Sequence, residues 1–493
     1  MGRIEELMEK SGVKFGTSGA RGLVADMTDE VCYAYTVAFI QHLESTGELT
    51  GRGVIAIGGD LRSSTDRIME AVGKAVVDKG YSVRNCGKLP SPALAYYGIR
   101  EKIPAVMVTG SHIPEDRNGI KYNKKKGEIL KHDEAGIKNQ DVIMPEGLFD
   151  LQGMLVNGYD LSSPDREAEE IYIRRYLDFF PPHCLEDKKI CVYQHSAVGR
   201  DLIVKILSGL GADVIPLCPS KDFVPVDTEA LRPEDVEAAE RWAEEYDFFA
   251  IVSTDGDSDR PLIGDEKGKW LRGDIAGILC AEYLKADTVV VPVSCNSALE
   301  KCGRFKRIIR TRIGSPYVIE VMEQAVREGG EIVVGYEANG GFLTATDIIR
   351  GDSVLHALPT RDAVILLISI LLLASEKGLR VSDLSAGLPG RFTFSNRLKN
   401  FPAEKSGAWL RELNSGDDTR DRHAIGSVFG KLFGEISSID RTDGLRITFI
   451  SGDIIHLRPS GNAPEFRCYT EAETEERVKE INRICMELME NVR

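Results

Sequence analysis

Three carboxylates spaced two residues apart, Asp255, Asp257 and Asp259, stand in the run Ser253-Thr254-Asp255-Gly256-Asp257-Ser258-Asp259-Arg260. On a loop that curls at Gly256 they can converge on one hard cation, because an oxygen-only donor set favours magnesium or calcium over zinc. A solvated acidic turn would leave three like charges repelling one another with nothing to neutralise them. The rival is a calcium loop of the EF-hand kind, and Glu266 even falls at its twelfth position. It fails at the sixth, where Arg260 stands in place of the glycine that the sharp turn needs. The entering element is also an apolar strand instead of a helix.

Other stretches carry groups of comparable interest. The apolar run 105–108 ends abruptly in Thr109-Gly110-Ser111-His112, as a buried strand does when it delivers a loop to the carboxyl edge of a parallel sheet. Ser111 there serves as a turn former or cap, or as a nucleophile, and these residues alone leave both open. Phe15-Gly16-Thr17-Ser18-Gly19-Ala20-Arg21-Gly22 is a flexible loop with hydroxyls and one arginine, suited to an anion or to a plain turn. Glu337 and Asn339, in Gly335-Tyr336-Glu337-Ala338-Asn339-Gly340-Gly341, offer a carboxylate and an amide to neutral hydroxyls, though both are also common turn residues. Arg458-Pro459-Ser460-Gly461-Asn462-Ala463-Pro464, with Arg467 beyond, combines two arginines with polar side chains and open amides. That is either a nest for a phosphate dianion or a surface turn.

The elements that must position these groups follow a repeating rhythm. A helix over 28–44, a strand over 53–58, a helix over 65–79 and a strand from 81 precede the Ser111 strand, and this βαβ order implies a parallel sheet. The stretch 127–153 is polar without clear periodicity. A charged helix over 165–180, stopped by Pro181-Pro182, marks a boundary. The rhythm restarts with a strand at 189–193, helix 199–210, strand 213–217, helix 232–245 and the buried strand 248–252 that ends in the acidic loop. A third round runs through 288–291, 308–309, the loop at Gly314-Ser315, helix 318–328 and strand 331–334, which leads to Glu337. After 388–390 the pattern changes to antiparallel strands at 392–396, 445–450 and 454–457, with Ser451-Gly452-Asp453 as a hairpin turn, closed by an amphipathic helix over 474–491.

Composition bounds the rest. A chain of 493 residues exceeds one core and should split into several domains. Its net charge of −15 gives no support for broad nucleic-acid or anionic-membrane binding, so an anionic substrate must be met by local arginines and lysines. Ten scattered cysteines without Cys-x-x-Cys or zinc spacing suggest reduced thiols and a cytoplasmic protein. The first residues show no apolar signal segment, and the apolar run 363–374 is too short to span a bilayer and reads as a buried helix.

Taken together, the motifs resemble those of the α-D-phosphohexomutase family, the phosphomannomutases and phosphoglucomutases. Four fall in family order: Thr109-Gly110-Ser111-His112 continuing to Asn118-Gly119-Ile120-Lys121; Asp255 to Arg260; Gly335 to Gly340; and Arg458 to Pro464. The wording of the last two, with Leu358-Pro359-Thr360-Arg361-Asp362-Ala363 and Thr442-Asp443-Gly444-Leu445-Arg446, is similar to bacterial phosphomannomutases of nucleotide-sugar pathways. The resemblance implies an α/β fold, with three similar mixed or parallel-sheet domains at 1–160, 161–274 and 275–390. A C-terminal α+β domain at 391–493 would join them around a central cleft. It implies that Ser111 carries a phosphoryl group and that Asp255, Asp257 and Asp259, with a phosphoserine oxygen of Ser111, hold Mg²⁺. Lys121, Arg21 and Arg260 would stabilise the transferring group and assist proton transfer, with Ser18 in the same anion loop. Glu337 and Asn339 would read sugar hydroxyls, and Gly314 and Ser315 would line the substrate site. Arg458, Ser460, Gly461, Asn462 and Arg467 would clamp the phosphate that is not reacting. Several relatives carry histidines where Ser315 and Gly341 stand here, which leaves Lys121 or His112 as the base.

The expected activity is interconversion of mannose 1-phosphate and mannose 6-phosphate through a hexose 1,6-bisphosphate. The alternatives are glucose phosphates, dual specificity, or a non-catalytic sugar-phosphate-binding relative. The expected partner is a sugar phosphate, not nucleic acid or a membrane, in a monomer or weak homo-oligomer.

Overall fold

The computed structural model describes residues 2–16, 19–460 and 465–492. By its internal contacts the chain divides into two units. The first holds the chain up to Val289 together with Gly314–Ser385; the second holds Val290–Ile313 with the stretch from Ala386 onward.

In the first unit, apolar strands end in polar loops three times over. Strands Val54–Gly59, Ser82–Lys88 and Ala105–Val108 run parallel, and Arg117–Lys124 then returns antiparallel beside Ala105–Val108. Gly19–Leu23 and Lys14–Phe15 extend the same sheet, also antiparallel. In the next sheet Asp213–Pro219, Lys189–His195 and Ala250–Thr254 are parallel, and Pro261–Gly264 returns antiparallel to Ala250–Thr254. Val333–Tyr336 and Phe342–Thr344 make the third such hairpin. The sheets are therefore mixed, and the Ser111, Asp255 and Glu337 loops each join a buried strand to its antiparallel neighbour. The expected parallel strands are present, but these three loops turn back into strands instead of entering helices. Periodicity does not distinguish the two outcomes, since a fully buried strand reads the same whichever element follows.

Helices cover these sheets with their apolar residues turned inward. Asp29–Ser45 starts at Thr28, whose hydroxyl accepts from Val31 N, and buries Tyr35, Phe39, Ile40 and Leu43. Ala363–Lys377 is apolar nearly all round and is correspondingly buried, packing against Gly273–Tyr283. Truncating one of its leucines to alanine should cost about 2–5 kcal/mol. The polar stretch after 127 contains a helix at Lys131–Lys138; at two turns it is too short for a periodic signal. Among the described residues no helix is long and apolar enough to cross a membrane.

The second unit carries a five-stranded antiparallel sheet in the order Phe392–Lys399, Glu465–Ala472, Ile454–Pro459, Leu445–Phe449, Ile436–Asp440. Alternation sends Leu445, Ile447, Ile455, Leu457, Phe466 and Cys468 into one core, which Glu475–Glu490 closes. Helices at Ala403–Leu413 and Asp418–Ile425 add Trp409, Leu413 and Ile425 to that core.

Candidate active site

Ser111 is almost fully buried and adopts a left-handed backbone, φ 56°, a conformation that non-glycine residues hold only where surrounding structure enforces it. The enforcing group is Arg62. Its guanidinium donates to the carbonyls of Ser111 (2.8 Å), Ile113 (2.6 Å), Pro114 (2.8 Å) and Arg117 (3.0 Å). Asp60 holds Arg62 from behind at 3.3 Å and accepts from Thr109 Oγ1 and Thr65 Oγ1, each at 2.7 Å. A buried charge pair thus braces four carbonyls in and beside the serine loop.

The acidic loop is the tip of the Ala250–Thr254/Pro261–Gly264 hairpin, closed by Asp255 N donating to Arg260 O. Ser91 anchors it twice, through its amide to Asp257 O (2.9 Å) and its hydroxyl to Asp257 Oδ2 (2.6 Å). Gly256 is needed for close approach: a Cβ there would lie 2.7 Å from Ser111 O. With the loops in contact, Ser111 Oγ donates to Asp255 Oδ2 at 2.6 Å and lies 3.2 Å from His112 Nδ1. From the strand beside the serine, Lys121 Nζ reaches both Asp257 Oδ2 and Asp259 Oδ2 at 2.6 Å.

The three aspartates are buried, with one ligand oxygen from each within 4.8 Å of the others. Burial pushes all three carboxyl groups toward the neutral form, but their neighbours separate them. Asp255 is raised well above the usual range by burial and by Asp257 and Asp259. Burial and Asp259 also push Asp257 upward, but Lys121 prevails and the net shift is downward. For Asp259 burial is overcome by Arg361, Lys121 and Arg260. Asp257 and Asp259 are thus biased toward the ionised form, and Asp255 toward the neutral one. Asp257 Oδ1 and Asp259 Oδ1 are buried without hydrogen-bond partners, a costly state that a coordinated cation would relieve. The donor set fits a hard divalent ion.

The surrounding cations are enclosed as well. Burial, Arg260 and Arg361 pull Arg21 down to about 10. Arg260 Nε is buried 3.9 Å from Asp255 Oδ2 and 3.8 Å from Asp259 Oδ1 without a hydrogen-bond partner. Burial lowers Lys121, but Asp257 and Asp259 outweigh it and hold the ammonium charged. His112 is driven far below its ordinary value by burial and then by Arg260 and Arg21, so its imidazole is neutral.

The Glu337 loop reaches this group through a residue whose type gave no functional signal. Arg361 Nε lies 3.1 Å from Asp259 Oδ2, and its Nη1 lies 3.0 Å from Glu337 Oε2. Asn339 Oδ1 accepts from Gly341 N at 2.8 Å, so part of its capacity shapes its own turn, as the alternative reading held. Gly314 caps the helix Ser315–Arg327, and Ser315 Oγ lies 3.1 Å from Glu128 Oε2. Arg62, Glu128 and Arg361 were missed. Arg62 stood in the Gly59-Asp60-Leu61-Arg62 run at the end of a parallel strand, and Arg361 in the Leu358–Ala363 stretch that resembles the family's, without a role for either.

Arg458, Ser460 and Arg467 form a group of their own in the second unit. Arg458 pairs across the ladder with Arg467, and Arg467 with Arg397 on its other side. Three arginines therefore share one row and one face of the sheet. Arg467 Nη2 lies 3.1 Å and Arg397 Nε 3.5 Å from Glu465 carboxylate oxygens, and Arg458 Nε lies 2.9 Å from Asp443 Oδ2, though poorly aligned for a hydrogen bond. Ser460 N donates to Glu465 O at 2.8 Å. Ser18, Gly461 and Asn462 lie outside the described residues.

Comparison with known proteins agrees with this geometry. The chain matches the phosphoglucomutase/phosphomannomutase α/β/α domain I over residues 12–140, α/β/α domain III over 272–392, and the C-terminal domain over 411–488. It is 44% identical to a phosphomannomutase of Salmonella muenchen over 96% of this chain and 94% of that protein. It is 40% identical to a phosphomannomutase of Sinorhizobium fredii over 94% of this chain and 95% of that protein. Among solved structures, a putative phosphomannomutase from Thermus thermophilus superposes with a TM-score of 0.70 at 18% identity, covering 97% of this chain and 99% of that one. At that identity the superposition speaks for the fold alone.

Proposed function

The chain belongs to the phosphoglucomutase/phosphomannomutase family, and from that premise we propose that it interconverts mannose 1-phosphate and mannose 6-phosphate through a phosphoryl group carried on Ser111. The observation that carries this reading is the 2.6 Å contact of Ser111 Oγ with Asp255 in a buried carboxylate trio. The choice of mannose rests on the two relatives named phosphomannomutase. Mg²⁺ held by Asp255, Asp257, Asp259 and an oxygen of phosphorylated Ser111 would offset the charge of the transferring group.

Phosphoryl transfer depends on in-line positioning and charge neutralisation. In the first half, the bond between phosphorus and Ser111 Oγ breaks as one to the sugar O6 forms, giving a hexose 1,6-bisphosphate. In the second, the phosphoryl group on O1 returns to Ser111 and leaves mannose 6-phosphate. Lys121, Arg21 and Arg260 supply positive charge to the equatorial oxygens. His112, neutral and beside Ser111 Oγ, is the group able to accept a proton. Its depressed basicity rises when phosphorylation places about −1.5 to −2 charge next to it. Lys121, held as an ammonium, enters as an acid or an electrostatic anchor. Glu337 and Asn339 receive the sugar hydroxyls, and Arg458, Ser460, Asn462 and Arg467 clamp the idle phosphate, with Arg397 in the same row. We read the protein as cytoplasmic and as a monomer or weak homo-oligomer.

The test is isomerisation by the purified protein with Mg²⁺ and a trace of mannose 1,6-bisphosphate, with phosphopeptide mapping of the recovered enzyme. Turnover with phosphate on Ser111 is expected; turnover with phosphate elsewhere would overturn the mechanism. A higher kcat/KM on glucose 1-phosphate would replace the mannose assignment with glucose.

A further inference from the structure

The scheme above gives Arg361 no role, yet only 3% of its side chain is exposed. Its guanidinium bridges carboxylates from two hairpin loops, with Nε to Asp259 Oδ2 at 3.1 Å and Nη1 to Glu337 Oε2 at 3.0 Å. Two N–H groups of one rigid plane therefore fix the relation between those carboxylates, which a single ammonium could not do. The stem is as constrained as the head. A Cβ on Gly341 would lie 2.3 Å from Arg361 Cδ and 2.5 Å from Cγ, so the arginine fills the volume that any side chain at 341 would occupy. The backbone is held by the next residue. Asp362 N donates to Phe342 O at 2.8 Å, and its carboxylate accepts from Tyr172 Oη (2.7 Å) and Tyr176 Oη (2.6 Å).

We propose that Arg361 is a positioning residue that sets sugar specificity: it fixes the Glu337 carboxylate through Oε2, leaving Oε1 to accept from one sugar hydroxyl, and residue 341 is glycine to make room for it. This rests on reading Glu337 as the hydroxyl acceptor. A carboxylate locked in one plane rewards one direction of hydroxyl approach and so separates epimers, whereas one that swings accepts either.

The test uses the whole protein with α-mannose 1-phosphate and α-glucose 1-phosphate. Arg361→Lys keeps the charge and loses the fork; Gly341→Ala keeps the arginine and displaces its stem. In each variant KM for the preferred sugar should rise, kcat should change less, and the kcat/KM ratio between the sugars should fall by about 10-fold. The double variant should be no worse than Arg361→Lys alone. The proposal is overturned if both sugars lose equally at a constant ratio, or if Gly341→Ala behaves as wild type. A wild-type ratio near one overturns it too. Should the wild-type protein turn over neither sugar, the mutase reading fails separately. The ratio of Kd values from calorimetry then decides, with the same collapse expected and an unmoved ratio fatal.

Discussion

The acidic loop of the first unit and the arginine row of the second both press like charges together, and they relieve the repulsion in opposite ways. Asp255, Asp257 and Asp259 are sealed from water and surrounded by fixed cations, yet two of their oxygens remain without partners and burial with like charge pushes Asp255 toward its neutral form. Arg458, Arg467 and Arg397 grade from partly to half exposed along one row of a sheet, beside Glu465 and Asp443. A buried cluster with carboxylate oxygens left unpartnered suits a resident cation, because leaving them so is costly. An exposed row whose charges are already paired suits a passing anion, because it costs little when empty.

The largest effect should come from Ser111→Ala, which removes the phosphoryl carrier. Turnover should fall by more than about 10³-fold while the melting temperature stays near wild type; retained activity would put the acidic loop's partner elsewhere. Asp257→Asn should come next, weakening Mn²⁺ binding by at least about 100-fold in calorimetry. If binding is unmoved, the trio is no cation site and the contrast between the two regions collapses.

Lys121→Met separates the two kinds of cluster on stability. It strips Asp257 and Asp259 of a buried counter-ion, so the metal-free protein should lose about 3–5 kcal/mol in denaturant unfolding. Added Mg²⁺ should then stabilise the variant more than it stabilises the wild type. Arg458→Met should do the reverse. Stability should change by about 0.5 kcal/mol or less, while KM for the sugar phosphate rises roughly 10–100-fold, in line with one charge-assisted hydrogen bond.

The smallest effect is on pH. Burial, Asp257 and Asp259 raise Asp255 in the fold, with Arg260 and the Ser111 hydroxyl opposing. A raised carboxyl contributes stability that is full below its unfolded value, about 3.9, and is lost as pH climbs through the folded value. Asp257 and Asp259 are shifted the other way and stay ionised across that window. The melting temperature in EDTA should therefore drift down above pH ~4 and flatten once Mg²⁺ replaces the proton. An equal slope with and without metal would mean that Asp255 does not hold it.

The family, the alternation of strands and helices, and the serine, aspartate and Glu337 motifs were legible from local spacing. Apolar runs that end in glycine-flanked polar residues mark where a sheet releases a loop, and that information is contiguous in the chain. The buried helix at 363–377 and the antiparallel C-terminal sheet were legible for the same reason. Arg361 was not. An arginine before a helix-capping aspartate looks ordinary, and only the fold shows that it joins Asp259, 102 residues away, to Glu337. Arg397 was hidden likewise, since strand register put it beside Arg467.

The sequence by itself therefore determined which chemical groups the protein owns, because residue type and local period are enough to place a carboxylate or a serine at the end of a strand. Tertiary structure alone decided their state. It set which aspartate is pushed toward its neutral form, that Lys121 stays charged while His112 stays neutral, and that an arginine takes the space at Gly341. Those outcomes depend on burial and on charges brought close from distant parts of the chain, and neither quantity is written in any local run of residues.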